Sequence, residues 1–166
     1  MTPARGFSLL APIYSCLGLA LGSTLRRARA EFVDSLAPAS RILIVGGGNG
    51  QILIDLLKHQ VNPSIDYLDI APGMIASAKK SLLKFHPEKL AQVNFICTDL
   101  MKHDLSSQYD LIITQFFLDC FKEKTLHQVM CQLDSSLVDQ GHWLFCDFTA
   151  NRFSGRACTF LLYPFF

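Results

Sequence analysis

The sequence predicts an α/β fold of the Rossmann-like type, with a doubly wound, mostly parallel sheet between two layers of helices. Three observations predict it. From residue 41 onward, short apolar segments alternate with amphipathic ones, which is typical of parallel strands joined by helical crossovers. The first apolar segment runs into a glycine-rich loop at 46–50, and the second ends in an acid, Asp69. We expect three layers and the strand order 3-2-1-4-5.

The first element is an N-terminal helical segment, residues 1–40, which we expect to form a lid or cap on a core at 41–166. Its apolar stretch, 7–25, ends at a basic cluster, so a signal peptide or a membrane helix is an alternative. Pro12 and three serines interrupt that stretch, and several of its leucines fall near helical spacing. We therefore favour an amphipathic helix packed on the domain over membrane association.

The alternating pattern then gives the elements of the core. Five strands are predicted, at 42–45, 65–68, 93–97, 111–114 and 142–147. Helices are predicted at 51–59, 73–85 and 122–137. Apolar strands that alternate with amphipathic helices indicate a sheet covered on both faces.

Length and composition are those of one ordered domain. The chain has 166 residues, of which 50% are hydrophobic and 17% charged, which excludes a disordered protein. The net charge of +1 gives no electrostatic reason to expect a nucleic-acid partner. The six cysteines form no C-x-x-C pair, and we interpret them as reduced, mostly buried thiols of a cytoplasmic protein. No metal site is predicted, because the histidines do not cluster with cysteines at ligand spacing.

The glycine loop is a candidate binding site for an anionic group. Gly46, Gly47, Gly48 and Gly50 leave the main chain bare where the first strand ends, so that a ligand can approach it closely. Exposed N–H groups and the start of a helix favour a carboxylate or a phosphate. The spacing is G-x-G-x-G and lacks the third glycine of the dinucleotide fingerprint, which disfavours a nicotinamide cofactor. A tight turn without a ligand is the alternative.

Two acids follow neighbouring strands. Asp69 ends the second strand, where a carboxylate can accept hydrogen bonds from both ribose hydroxyls. The alternative is that it caps the helix that begins just after it. Asp99 follows the third strand and could accept a hydrogen bond from the exocyclic amine of adenine, although an ordinary loop aspartate is the alternative.

Five segments, in this order, resemble motifs of the class I S-adenosylmethionine-dependent methyltransferases. They are ILIVGGGNG, LDIAPGMIASAKK, FICTDL, YDLIITQFFLDCF and LDSSLVDQGHWLFCDF. The second motif is the most specific, and the resemblance extends from Tyr14 to the end of the chain. It implies S-adenosyl-L-methionine as cofactor, with the glycines at its methionine moiety, Asp69 on the ribose and Asp99 at the adenine. The neighbouring positions that it implies in cofactor binding are Ile70, Met74, Leu100 and Gln115.

The chain departs from the family pattern at three places. The acid usual two residues before the first glycine is Ile44, which predicts an altered cofactor affinity or geometry. The usual proline-glycine before the fifth strand is replaced by the turn at 139–141, a harmless change. Strands six and seven of the family are expected to be absent, and the apolar tail at 160–166 resembles the helix that would lead to them. An open fifth strand would be a pairing liability, so we expect a truncated chain or one completed by a partner, such as a homodimer through the apolar C-terminal end.

The resemblance implies methyl transfer, and acceptors in such folds lie over the fourth and fifth strands. Few charges fall there, which favours a small or lipophilic acceptor, with O-, N- and C-methylation all open. Tyr14, Phe117 and Phe148 are candidate acceptor contacts, although Phe117 is alternatively a packing residue. The catalytic residue is unknown, and Asp119 and Asp147 are candidate bases. The alternative function is a weak or inactive cofactor-binding module acting in a complex.

Overall fold

The computed structural model of the chain describes residues 38–106, 108–151 and 155–164, and only the backbone beyond residue 145. The expected N-terminal cap, including Tyr14, lies outside these ranges except for its last three residues.

Six strands of the described residues form one sheet in the order β3-β2-β1-β4-β5-β6. They are β1 (Arg41–Val45), β2 (Ser64–Asp69), β3 (Val93–Cys97), β4 (Tyr109–Gln115), β5 (Leu137–Asn151) and β6 (Gly155–Pro164). The first five strands pair in parallel. The prediction of a Rossmann-like sheet with the strand order 3-2-1-4-5 is therefore confirmed.

Helices cover both faces of this sheet. They are α1 (Gln51–His59), α2 (Pro72–Phe85) and α3 (Glu123–Asp134). Pro72 opens α2 at a position where its missing N–H is not needed. Helix α3 ends three residues earlier than predicted, because β5 begins at Leu137. Within the described part of the connection from β3 to β4, a 3-10 turn, Leu100–Lys102, takes the place of an α-helix.

Two hydrophobic clusters, one on each face, hold the layers together. On one face, Leu56 of α1 and Leu82 of α2 pack with strand residues such as Ile44. On the other face, Val129 of α3 packs with strand residues that include Trp143. Alternate residues of β1 supply both clusters, which explains why this strand is apolar throughout.

The expectation that no strand follows the fifth one is wrong. Residues 155–164 form β6, which pairs antiparallel with β5 from Asn151↔Gly155 to His142↔Pro164. The fifth strand continues to Asn151 and the chain returns beside it, so that β6 satisfies the backbone groups of the edge that we expected to be open. The part of the tail expected to be helical, 160–164, belongs to β6, because a short apolar run does not distinguish helix from strand.

The cysteines that the structure describes with side chains also differ from expectation. Cys97, Cys120 and Cys131 are exposed, so for these three the prediction of buried thiols is wrong. Cys97 is the last residue of β3, at the open carboxyl edge of the sheet. Cys131 lies on α3 beside the ring of His127, with Sγ 3.6 Å from Nδ1. Among the described residues, no group of three metal-ligating side chains occurs, and none of the described helices is long and apolar enough to cross a membrane.

Candidate cofactor site

The glycine loop follows β1 at the carboxyl edge of the sheet and is anchored to β2. The Gly46 N–H donates to the carbonyl oxygen of Leu68 at 2.9 Å. Gly50, at φ 85°, is the N-cap of α1, and a Cβ there would lie 2.8 Å from the Cα of Ala78 on α2. Gly50 therefore allows α1 and α2 to approach each other, which is a packing role.

Gly48 is surrounded differently. Its φ is 62°, and a Cβ built on it would meet no heavy atom within 4 Å. The side of the loop at Gly48 is thus open, and only a residue without a side chain leaves that space to a ligand. An open backbone cradle beside a helix N-terminus is suited to an anionic or polar group.

Asp69 connects the end of β2 to the glycine loop. Its Oδ2 accepts a hydrogen bond from the Gly48 N–H at 3.1 Å, and its Oδ1 accepts one from the Ala71 N–H at 2.8 Å. The N-cap position of α2 is Ala71, so the alternative that Asp69 occupies the cap is wrong. Burial raises the pKa of the Asp69 carboxyl above its ordinary value, while the hydrogen bonds from Ala71 and Gly48 act in the opposite direction.

Tyr67 is a part of this site that the sequence reasoning missed. Its hydroxyl donates to the carbonyl oxygen of Gly48 at 3.0 Å. Its ring lies against the loop, because a Cβ at Gly47 would be 2.5 Å from ring atoms. Burial, and then the charge of Asp69, raise the Tyr67 pKa, so the hydroxyl stays a neutral donor. The available signal was its position two residues before Asp69, on the same face of the strand.

The end of β4 brings aromatic side chains to the same edge. Gln115, the last residue of β4, is half-buried. Phe116 follows at φ 50°, a strained conformation for a bulky residue of the kind found near functional sites. Phe117 packs on the loop, since a Cβ at Gly46 would lie 2.6 Å from its ring, and it meets Phe121 edge-on at 5.0 Å between ring centroids. This geometry favours the packing interpretation of Phe117.

Asp99, predicted at the adenine, and the other residues predicted in cofactor binding differ in exposure. Asp99 is half-buried, and its Oδ1 accepts from the Met101 N–H at 3.1 Å, which starts the 3-10 turn. Leu100 is 3% exposed and belongs to the core, so only its backbone could contact a cofactor. Ile70 is 37% exposed, and Met74 is half-buried in the first turn of α2.

The candidate acceptor residues are less well defined. Asp119 is exposed on the 3-10 turn Leu118–Cys120. Asp147 and Phe148 lie in β5 opposite residues of β6, and their side chains are outside the described part, as is all of Tyr14. The structure thus brings together the glycines, Asp69 and Phe117, while the acceptor contacts and the base remain predictions.

Comparison with known proteins gives the family. Residues 43–143 match the methyltransferase domain family, which is more than half of the chain. The chain therefore belongs to this family, and the prediction of a class I S-adenosylmethionine-dependent methyltransferase is confirmed at that level.

The similar proteins are matched over only a part of their own length. A malonyl-[acyl-carrier protein] O-methyltransferase from Priestia megaterium is 31% identical over 112 residues, which are 68% of this chain and 38% of that protein. A polyamine aminopropyltransferase from Methanocaldococcus jannaschii is 30% identical over 82 residues, 48% of this chain and 27% of that protein. A solved structure described as the DhpI-SAM-HEP complex has a TM-score of 0.73 at 17% identity, covering 92% of this chain and 70% of that one. The chain thus spans well under half the length of these two relatives.

Proposed function

We propose that this chain binds S-adenosyl-L-methionine and transfers its methyl group to a small or lipophilic acceptor. The observation that carries the proposal is the buried carboxylate of Asp69, which is hydrogen-bonded to the open glycine loop at Gly48. Membership of the methyltransferase domain family and the SAM complex of a protein with the same fold support it.

The residues of the site fit this cofactor. An ionised carboxylate offers about four lone-pair positions, and the described hydrogen bonds of Asp69 use one on each oxygen, so both oxygens can still accept from ribose hydroxyls. The open space at Gly48 leaves room for the polar methionine end beside the start of α1. The cofactor, when bound, supplies an electrophilic methyl group on a sulfonium. The chain's own contribution is mainly to position the reactants and to exclude water.

The nature of the acceptor rests on weaker support. The half-buried rings of Phe116 and Phe117 stand at the end of β4, and aromatic faces suit an apolar acceptor and stabilise a nearby cation. We assign the acceptor contacts to Tyr14 and Phe148, and to the half-buried ring of Phe117 in addition to its packing on Gly46. We assign the base to Asp119 or Asp147. The relative from Priestia megaterium acts on a malonyl group carried by a protein, so a carboxyl group on a carrier is a candidate for the acceptor panel.

Titration calorimetry with S-adenosylmethionine and S-adenosylhomocysteine tests cofactor binding. We expect the parent chain to bind both, and the Asp69→Ala variant to lose at least about tenfold in affinity, because hydrogen bonds to a charged group contribute about 1.5–3 kcal/mol each. Asp55→Ala is the matched control, since that acid lies on α1 and pairs with Lys58 at 3.0 Å. Equal affinities of parent and Asp69→Ala would exclude the ribose role.

Position 44, where the family usually has an acid, is a buried isoleucine with 1% exposure. This difference favours a second candidate function, namely a binding module that transfers no methyl group. The two functions differ in turnover. Transfer of labelled methyl groups to any member of an acceptor panel supports the enzyme, whereas binding without transfer across the panel supports the module.

We also propose a cytoplasmic protein that forms a homodimer through its apolar C-terminal end. An antiparallel strand of ten residues, β6, lies last in the described sheet and offers an edge for such pairing. Sedimentation at rising protein concentration should show a monomer–dimer equilibrium, and a monomer throughout would contradict the dimer.

A further inference from the structure

The glycine loop receives no polar side chain from the end of its own strand. Position 44, where the family usually has an acid, is an isoleucine with 1% exposure. Its register partner on the neighbouring strand is Tyr67, and both side chains belong to the same core cluster. A polar group therefore reaches the loop from β2 instead of β1.

Tyr67 contacts the glycine loop through its hydroxyl as well as its ring. The hydroxyl donates to the Gly48 carbonyl at 3.0 Å, while the Gly48 N–H donates to Asp69 Oδ2 at 3.1 Å. Gly48 is thus held through both of its backbone polar groups by two side chains of β2. Because Gly48 is the one glycine of the 46–50 loop with open space beside it, its orientation determines what the loop presents to a ligand.

We propose that Tyr67 is a positioning residue of the cofactor site, which fixes the Gly48 peptide from β2 in a chain that lacks the acid on β1. The proposal rests on the proposed function for its ligand, S-adenosylmethionine or its product, but the restraint on the loop exists without the ligand. Without the hydroxyl, we expect the loop to sample other orientations. The apparent affinity for the cofactor then falls in proportion to the fraction of molecules whose loop is in the binding-competent orientation.

The Tyr67→Phe variant tests this inference, because it keeps the ring that packs against Gly47 and removes only the hydroxyl. Tyr109→Phe is the matched control. Tyr109 is likewise buried, at 2% exposure, and its hydroxyl donates to Asp66 at 2.8 Å, but it lies at the start of β4, at the opposite end of the sheet from the loop. Both variants lose a part-buried hydrogen bond of a tyrosine hydroxyl, so a general loss of stability would affect them alike.

Three measurements test whether Tyr67 positions the Gly48 peptide. In calorimetry with S-adenosylhomocysteine, we expect about a tenfold weaker affinity for Tyr67→Phe and an unchanged affinity for Tyr109→Phe. In hydrogen exchange without ligand, amides 46–50 should exchange faster in Tyr67→Phe only. With an acceptor that is turned over, the KM for the cofactor should rise while kcat at saturation is retained.

The outcomes separate this inference from the proposed function. If the parent chain does not bind the cofactor or its product, the proposed function fails, and hydrogen exchange still decides whether Tyr67 restrains the loop. Unchanged exchange at 46–50 in Tyr67→Phe overturns the inference, as does an equal loss of affinity in both variants. Binding by the parent with an unaltered affinity in Tyr67→Phe overturns it as well.

Discussion

Gly48 differs from its neighbours in the loop by what surrounds it. At Gly46, Gly47 and Gly50 an added Cβ would meet protein atoms within 3 Å, whereas at Gly48 it would meet none within 4 Å. The first three glycines are therefore explained by packing against Phe117, Tyr67 and Ala78. At Gly48 packing requires no glycine, although its left-handed φ of 62° favours one, and we propose that the open space beside it belongs to the ligand.

The Gly48→Ala variant should separate binding from folding. Its left-handed φ of 62° costs an alanine about 1–2 kcal/mol, so the chain should fold with a modestly lower free energy of unfolding. The added methyl group would enter the space of the ligand, and overpacking of about 1–3 kcal/mol corresponds to roughly a 5- to 150-fold loss of affinity for S-adenosylhomocysteine. Calorimetry and chemical denaturation measure the two quantities.

Gly73→Ala is the control for that prediction. An added Cβ at Gly73 also meets nothing within 4 Å, and its φ lies outside the left-handed region. It sits in the first turn of α2, where alanine is a better helix former, so stability should be kept or raised and affinity kept. If Gly48→Ala binds as tightly as Gly73→Ala, the open space at Gly48 does not belong to the cofactor site.

At the scale of elements, the sequence predicted the strands that are apolar on both faces and the helices between them. The prediction succeeded because β1, β2 and β4 are buried by helices on both sides, so that their residue pattern reflects local burial. It failed for β6, whose strand conformation depends on pairing with β5 over ten register pairs. A distant partner of this kind leaves no periodic signal in a short apolar segment.

The connection from β3 to β4 also depends on a partner that is distant in the sequence. Its 3-10 turn is held from α3 by Gln132, whose side-chain amide donates to the carbonyl oxygens of His103 at 2.8 Å and Leu100 at 3.2 Å. These contacts span about thirty residues of chain, and no local pattern specifies them. The turn positions Asp99, so part of the predicted adenine side depends on a residue that its own segment does not contain.

For the molecule as a whole, the site is built at the carboxyl edge where β1, β2 and β4 end. The sequence predicted that the glycine loop and Asp69 would meet there, because both follow neighbouring parallel strands. It did not predict Tyr67, since a tyrosine within an apolar strand resembles a core residue, and its position two residues before Asp69 shows only that both lie on one face of the strand. Nor did it predict that Phe117 packs on Gly46, which requires the register between β1 and β4.

Burial of the Asp69 carboxylate lowers the free energy of unfolding of the whole molecule at a pH where this group is charged. Because burial raises the Asp69 pKa above the ordinary 3.8, the folded state binds a proton more tightly than the unfolded state. The contribution of this carboxyl to the free energy of unfolding is then fully present below about pH 3.8 and is lost as the pH rises through the higher folded pKa. Such a cost is expected where a charge is retained for binding.

The comparison of parent and Asp69→Asn measures this linkage in the absence of ligand. The variant cannot ionise at position 69, and any change in its hydrogen bonds to Gly48 and Ala71 is the same at every pH. We expect the free energy of unfolding of the parent minus that of the variant to fall as the pH rises above about 4, the ordinary pKa of the carboxyl, as measured by urea denaturation at a series of pH values. A difference that rises with pH would mean that the hydrogen bonds from the two N–H donors affect the Asp69 pKa more than burial does. The carboxylate charge would then stabilise the fold instead of destabilising it.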